Sequence, residues 1–145
     1  MGVNEWVEKF RQGDPRALAR ALTEIENRGP DAQPLLRALF PYSGKAWRIG
    51  VTGGPGAGKS TLVDRLTALL REQGRSVAII AVDPTSPFSG GSILGDRVRM
   101  QAHHADPGVF IRSMATRGVL GGLAPSTADV MMALEAAGRD VILIE

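Results

Sequence analysis

An α/β fold with a mostly parallel sheet and flanking helices, preceded by a short helical extension, is predicted by three features of this sequence. Short apolar runs alternate with amphipathic helical patterns from Trp47 onward, a glycine-rich loop joins the first run to the first of those helices, and the first 40 residues carry helical periodicity throughout. A chain of 145 residues, 43% of them apolar, is long enough to bury a core for such a fold.

The extension, residues 1–45, reads as three helices. Val3, Trp6, Val7 and Phe10 share one face, then Leu18, Ala21, Leu22 and Ile25, then Leu35, Leu36 and Leu39. Asp14 before Pro15 suits an N-cap and first helical position, Asp31 starts the third helix, and Gly13 and Gly29-Pro30 break the chain between them. PYSGK at 41–45 leads out into the second unit, residues 46–145.

There Arg48–Thr52 reads as a strand, 59–72 as a helix through Leu62, Val63, Leu66, Leu69 and Leu70, and Val77–Val82 as a continuous apolar strand. Strand, helix and strand in that order require parallel pairing. Residues 84–95 are rich in Pro, Gly and Ser, too long for a tight turn, and sit just past a strand's carboxyl end, which marks a functional loop. A helix near 96–105, a strand at Val109–Arg112, a Gly-rich segment at 118–122, a helix over Ser126–Ala137 ended by Gly138, and a strand at Val141–Ile144 complete the pattern. With Glu145 closing a buried-type strand, the sheet is expected to be incomplete and the chain to be the first part of a longer protein.

Composition excludes several classes. A charged fraction of 22% and a net charge of +2 are too small and too evenly spread for a nucleic-acid-binding face. Cysteine is absent, which removes disulfides and thiolate sites and fits a reducing, cytoplasmic compartment. No stretch approaches the roughly 20 apolar residues of a membrane span, and MGVNEWVEKF is an amphipathic helix pattern, not a signal peptide.

The chemistry concentrates at Gly53, Gly54, Pro55, Gly56, Ala57, Gly58, Lys59 and Ser60, which satisfy the phosphate-loop pattern G-x-x-x-x-G-K-[ST] between a strand and an amphipathic helix. Glycines let backbone N–H groups close on phosphate oxygens, the helix N-terminus adds partial positive charge, and Lys59 adds a full one. Ser60 Oγ is a Mg²⁺ ligand in this pattern. The apolar strand Val141–Ile144 ends in Glu145, which is how a P-loop receives its acidic partner beside the metal; Glu145 is expected to hold Mg²⁺ through water. Asp83 follows a strand at the sheet's carboxyl edge and Asp96 closes the Gly-rich loop. Their ordinary readings are a turn residue before Pro84 and a helix N-cap before Arg97; their functional ones are orienting water or holding Mg²⁺.

The strings GVTGGPGAGKST, VDPTSP, GGSILGDRVRM, FIRSMATRGVLGGLA and VILIE occur in that order, and from about residue 10 onward the chain resembles the MeaB-type GTPases, also called the ArgK or LAO/AO-transport ATPase family. GGSILGD and RSMATRG do not belong to P-loop proteins generally. The resemblance implies a P-loop NTPase of the dimeric SIMIBI class, a GTP/GDP-binding, Mg²⁺-dependent GTPase. It also implies that the protein serves as a chaperone of adenosylcobalamin-dependent methylmalonyl-CoA mutase, gating cofactor loading and protecting the mutase. By motif matching, Gly56 to Thr61 carry the phosphates, Ser60 and Glu145 the metal, and Asp83, Asp96 and Arg99 fall in the family's first switch, residues 84–99 with the Asp before them. In that picture Lys59 and Mg²⁺ neutralise developing charge while Asp83 or Asp96 places the attacking water.

The family continues beyond the position of Glu145 with a glycine-containing second switch, an Asn-Lys-x-Asp base-reading motif and a C-terminal dimerisation arm. None occurs in these residues, so the choice of GTP over ATP is not written in them, and the 145-residue chain alone is expected to bind nucleotide weakly. The competing readings are an ATP-using P-loop kinase or ATPase linked to amino-acid transport, a metallochaperone GTPase disfavoured by the lack of cysteine, and a non-catalytic nucleotide-binding fragment. Among the remaining signals, His103-His104 point apart on a helix and read as surface residues, Met131-Met132, Trp6 and Trp47 as packing residues. Arg112 and Arg117 read either as surface basic residues or as contacts to nucleotide, dimer mate or mutase.

Overall fold

The computed structural model describes residues 2–54, 58–83, 103, 105–115 and 125–145, and the chain divides into two compact units. The first is helical and comprises residues up to Ala46 together with a later segment, Ala124–Arg139. Its helices are α1 (Val3–Arg11), α2 (Pro15–Glu26) and α3 (Ala32–Leu39), followed by one 3₁₀ turn at Phe40–Tyr42. Asp14 caps α2 as expected: its carboxylate accepts from Arg16 N at 2.9 Å and Ala17 N at 3.3 Å, and Pro15 occupies the first turn, where a missing N–H costs nothing. Asp31 does not act as the expected cap, because its side chain accepts no hydrogen bond from α3; instead its own N–H donates to Glu24 Oε1 at 3.0 Å.

Trp6 and Phe10 of α1, Leu18, Ala21, Leu22 and Ile25 of α2, and Leu35 and Leu39 of α3 are buried, the faces that periodicity assigned. Trp6 satisfies its indole N–H on Ala17 O at 3.0 Å, so this ring is buried without an orphaned donor. The helix expected at Ser126–Ala137 is α5 (Pro125–Ala136), and it packs against α2, α3 and the 3₁₀ turn. Val130, Met131, Ala133, Leu134 and Ala136 are buried together with Ser126, Thr127 and Glu135, so no polar stripe sets one side apart. The buried Glu135 carboxylate accepts from Gly44 N at 2.6 Å, where a positive φ of 90° turns the chain toward the second unit.

The second unit is a four-stranded parallel sheet of order β1-β4-β2-β3, with β1 (Trp47–Gly50), β2 (Val77–Asp83), β3 (Val109–Ala115) and β4 (Val141–Ile144). β1 begins one residue before the predicted strand and ends two before its end, and β3 runs three residues beyond the prediction, through Ser113, Met114 and Ala115. Helix α4 (Lys59–Glu72) buries Val63, with Leu66 and Leu70 beside it, against Ile49, Val77, Ile79, Val109, Val141 and Leu143. These strand residues alternate along the chain and share one sheet face. Ala78, Ile80 and Ile142 on the opposite face are also buried, as parallel strands written in continuous apolar runs require.

Trp47 departs from its expected packing role. It is 69% exposed, because β1 is an outermost strand among those described. At the amino ends of the strands Ser76 and Asp140 clasp each other, with Ser76 N to Asp140 Oδ2 at 2.8 Å and Asp140 N to Ser76 Oγ at 3.0 Å. Trp47 N donates to Asp140 O at 3.0 Å, so one residue ties β1, β2 and β4 in register. The loop at 84–95, the Gly-rich segment at 118–122 and most of the helix expected near 96–105 lie outside the described residues. No helix among those described is long and apolar enough to cross a membrane.

Ahead of β3, Asp106 receives a two-pronged pair from Arg71 of α4, Nε at 2.8 Å and Nη2 at 3.0 Å, and also accepts from Gly108 N at 2.8 Å. The guanidinium lies where a Cβ on Gly108 would stand, so a side chain there would have to displace Arg71 from this pair. The Arg71 hydrogen bonds and the Gly108 amide hold the Asp106 carboxyl below its ordinary pKa, and Asp106 in turn raises that of Arg71. A carboxyl depressed on folding contributes stability above its unfolded pKa of about 4 and loses it as pH falls through the folded value. Asp106→Asn is therefore expected to lower the urea midpoint at neutral pH, with the gap to the parent closing as pH falls through the folded value. A gap that persists unchanged in acid would contradict this account of the pair.

Candidate phosphate and metal site

The site forms where β1 hands the chain to α4. Gly53 and Gly54 leave the strand, with Gly53 at a φ of 155°, and Gly58 takes the N-cap position of α4 at φ 90° and ψ 17°. That left-handed conformation is open to glycine without strain, and it directs the first N–H groups of a 14-residue helix toward the loop. Lys59 is the first helical residue and half-buried, Ser60 is buried, and Thr61 is exposed. The partial positive charge of the helix end and the charge of Lys59 thus belong to the same turn, the electrostatic requirement for a polyphosphate.

Strand order brings the acid to it. β4 lies between β1 and β2, so its carboxyl end emerges beside the loop that follows β1. Glu145, just past β4, is held by its backbone: its N–H donates to Ile80 O at 2.9 Å and its carbonyl accepts from Val82 N at 3.0 Å. From there its Oε1 accepts from Ser60 Oγ at 2.6 Å, across 85 residues of sequence. Its other oxygen, Oε2, is buried and has no hydrogen-bond partner among the described residues.

This arrangement fits Mg²⁺. A serine that ligates a cation uses an oxygen lone pair, so its proton needs an acceptor elsewhere, and Glu145 Oε1 is that acceptor. The orphaned Oε2 is a buried acceptor whose desolvation is unfavourable unless a cation or its water answers it. Both are hard oxygen donors of the kind Mg²⁺ takes, and no group of three or more His, Asp or Glu among the described residues could hold a metal by itself. The remaining ligands are therefore to be sought in phosphate and water, the usual division at a P-loop.

Of the other predicted site residues, Asp83 closes β2 opposite Ala115, at the same carboxyl edge of the sheet. Pro55, Gly56, Ala57, Asp96 and Arg99 lie outside the described residues. Arg112 belongs to β3, opposite Ile80, with its Nε buried, so it is not an exposed basic residue. His103 departs from the surface reading as well. Its Nε2 lies 2.7 Å from Asp64 Oδ1, and its side chain is 13% exposed. Asp64 stands four residues after Ser60 on α4, a spacing visible in the sequence, but its partner 39 residues away was not.

Comparison with known proteins places these residues in context. Residues 18–145 match the family model described as methylmalonyl Co-A mutase-associated GTPase MeaB. The chain is 54% identical over 143 residues to a Pyrococcus abyssi protein, covering 99% of this chain and 44% of that one. It is 46% identical to the GTPase ArgK of Escherichia coli, covering 97% and 44%. It is 35% identical to the mitochondrial methylmalonic aciduria type A homolog of Caenorhabditis elegans, covering 99% and 40%. A crystal structure of a LAO/AO transport system kinase superposes with a TM-score of 0.75 at 35% identity, covering 99% of this chain and 42% of that one. The P-loop NTPase fold is thereby established, with a sheet that forms only part of the neighbour's, and the chain spans less than half the length of these relatives.

Proposed function

This chain belongs to the MeaB family of methylmalonyl Co-A mutase-associated GTPases, and on that premise we propose that it is the phosphate- and metal-binding part of a cytoplasmic, homodimeric GTPase that chaperones adenosylcobalamin-dependent methylmalonyl-CoA mutase. The observation that carries the reading is the Ser60–Glu145 contact beside the left-handed Gly58 cap. Gly53 to Thr61 bind the phosphates of GTP, and Lys59 draws charge from the transferring phosphoryl group. Ser60 and Glu145 hold Mg²⁺, which when bound supplies charge neutralisation on the phosphate oxygens. Asp83 or Asp96 orients the attacking water, and Arg99, with the rest of 84–99, reports nucleotide state to the mutase. The base-reading motif that the family resemblance implies is not written in these residues.

Glu145→Gln keeps an acceptor for Ser60 and removes the charge. In the full-length polypeptide it is expected to raise the Mg²⁺ concentration for half-maximal GTP hydrolysis by at least about tenfold, equivalent to roughly 1.4 kcal/mol, while Mg²⁺-free nucleotide affinity stays unchanged. An unchanged Mg²⁺ dependence would remove Glu145 from the metal site. The same preparation tests the partner: nucleotide-dependent co-elution with an adenosylcobalamin-dependent mutase supports the chaperone role. The structural neighbour is a kinase by name, and phosphoryl transfer to an acceptor in place of water would favour that reading.

A further inference from the structure

Helix α2 carries an arginine that folding leaves without a carboxylate. Arg20 is exposed, and Glu24 stands four residues on, the spacing at which opposite charges join along a helix. No ion pair forms between them among the described residues. Glu24 is engaged elsewhere: its Oε1 accepts from Asp31 N at 3.0 Å, and its carboxylate lies where a Cβ on Gly29 would stand. One turn before Arg20, Arg16 repeats its sign in the first turn of α2, where the helix dipole is also positive. Neither arginine has an acidic side-chain partner among the described residues, so two unfavourable placements go without a return in folding.

The guanidinium of Arg20 is nonetheless placed. It lies 5.4 Å from the centroid of the Trp6 ring, and Trp6 is itself buried with its indole N–H fixed on Ala17 O. A cation over an aromatic face is held by the ring's quadrupole, while the N–H donors of a guanidinium lie in its own plane and stay open to a carboxylate. Trp6, Ala19, Arg20, Thr23 and Glu24 line a groove of about 310 Å³ where α1 meets α2. Ala19, Arg20 and Thr23 are exposed, so the groove is open along α2. Small-molecule sites enclose most of their ligand, which an open groove does not do, whereas a peptide segment can lie along it. The charge facing it makes that segment acidic. A nucleic acid would call for a broader basic face, and Lys9 of α1 already meets Glu5 at 3.9 Å.

We propose that Arg16, Arg20 and Trp6 form a docking groove for an acidic segment of a protein partner, with Arg20 holding a glutamate or aspartate carboxylate against the Trp6 ring. Tryptophan and arginine are the residue types on which protein interfaces most depend. Docking there requires no nucleotide. The test uses the full-length polypeptide labelled with 5-fluorotryptophan, the Trp6 signal being assigned by its loss in Trp6→Phe. A capped peptide alternating glutamate and alanine should shift that fluorine signal saturably, and its glutamine-alanine counterpart should not. Arg20→Met keeps an apolar stem over the ring and removes the charge; it should weaken binding at least about tenfold with the melting temperature within about 2 °C of the parent. Arg16→Met should weaken it about threefold, as an exposed charge at the edge of the contact would. Added salt should weaken binding in the parent.

No saturable shift, a shift that survives in Arg20→Met, or one that the neutral peptide gives equally would each overturn the groove. Free glutamate acting at the same concentrations as the peptide would make the ligand a small acid. Tighter binding of single-stranded DNA would make it a nucleic acid. Either result overturns the assignment to a protein partner.

Discussion

Lys59→Ala in the full-length polypeptide is expected to weaken Mg²⁺·GTP binding at least about 100-fold, roughly 2.7 kcal/mol, in an equilibrium titration with a fluorescent guanine nucleotide. Lys59 opens α4 directly after the left-handed Gly58, half-buried, at the amino end of the helix where its dipole is positive. Alanine removes the one full positive charge that the sequence writes into the phosphate loop and leaves only partial charges behind. The fold should not suffer, because alanine is at least as good a helix former as lysine and no core contact is lost. Far-ultraviolet circular dichroism and the melting temperature should therefore match the parent. An affinity within about threefold of the parent would mean that the nucleotide is held elsewhere.

The largest stability effect is expected at Leu143→Ala. Leu143 is fully buried in β4, the strand between β1 and β2, in register with Ile49 on one side and Ile79 on the other. It lies on the face that α4 covers, within the cluster that includes Val63 and Val77. Truncation there removes transfer energy and leaves a cavity that three strands and a helix cannot easily close, a cost of about 2–5 kcal/mol. Against a typical total of about 5–15 kcal/mol, that is a large fraction. Leu62→Ala is the internal comparison: Leu62 is 55% exposed on α4, and its loss should stay within about 0.5 kcal/mol. Urea unfolding of both variants decides the point, and equal effects would mean that the sheet core has been misplaced.

Local signals in the sequence were sufficient for elements whose partners are near in the chain. The Asp14-Pro15 pair marked the start of α2, apolar spacing marked the buried faces of α1 to α3, and Gly58-Lys59-Ser60 marked the turn from strand to helix; of the five apolar residues read into α4, Leu62 and Leu69 are exposed. What escaped depended on distant neighbours. Trp47 is an aromatic residue of the type cores prefer, yet its exposure follows from β1 lying outermost in the described sheet, which composition does not encode. Asp31 has the residue type of a cap, but Glu24 takes its N–H and its side chain caps nothing. His103 looked like a surface residue because Asp64, which faces it, stands 39 positions away.

The candidate site divides in the same way. Ser60 and Glu145 were each legible as metal-site residues from their own motifs, but their 2.6 Å contact is created by the insertion of β4 between β1 and β2. The family resemblance drew on GGSILGD and RSMATRG, and most of those positions, Asp96 among them, lie outside the described residues. Helix α5 shows a third kind of limit. Its sequence position between β3 and β4 reads as part of an alternating sheet unit, whereas its contacts are with α2, α3 and the 3₁₀ turn.

The central claim is a Mg²⁺-assisted guanine-nucleotide site built on Lys59, Ser60 and Glu145. Its most direct test is competition of GTP, GDP and ATP against a fluorescent guanine nucleotide on the full-length polypeptide, with and without Mg²⁺. The account predicts that GTP and GDP displace the probe at concentrations at least about 30-fold below ATP, a difference of about 2 kcal/mol, and that GTP binding tightens with Mg²⁺ in the parent but not in Glu145→Gln. Displacement by ATP at the same concentrations as GTP, or GTP binding indifferent to Mg²⁺, would contradict it.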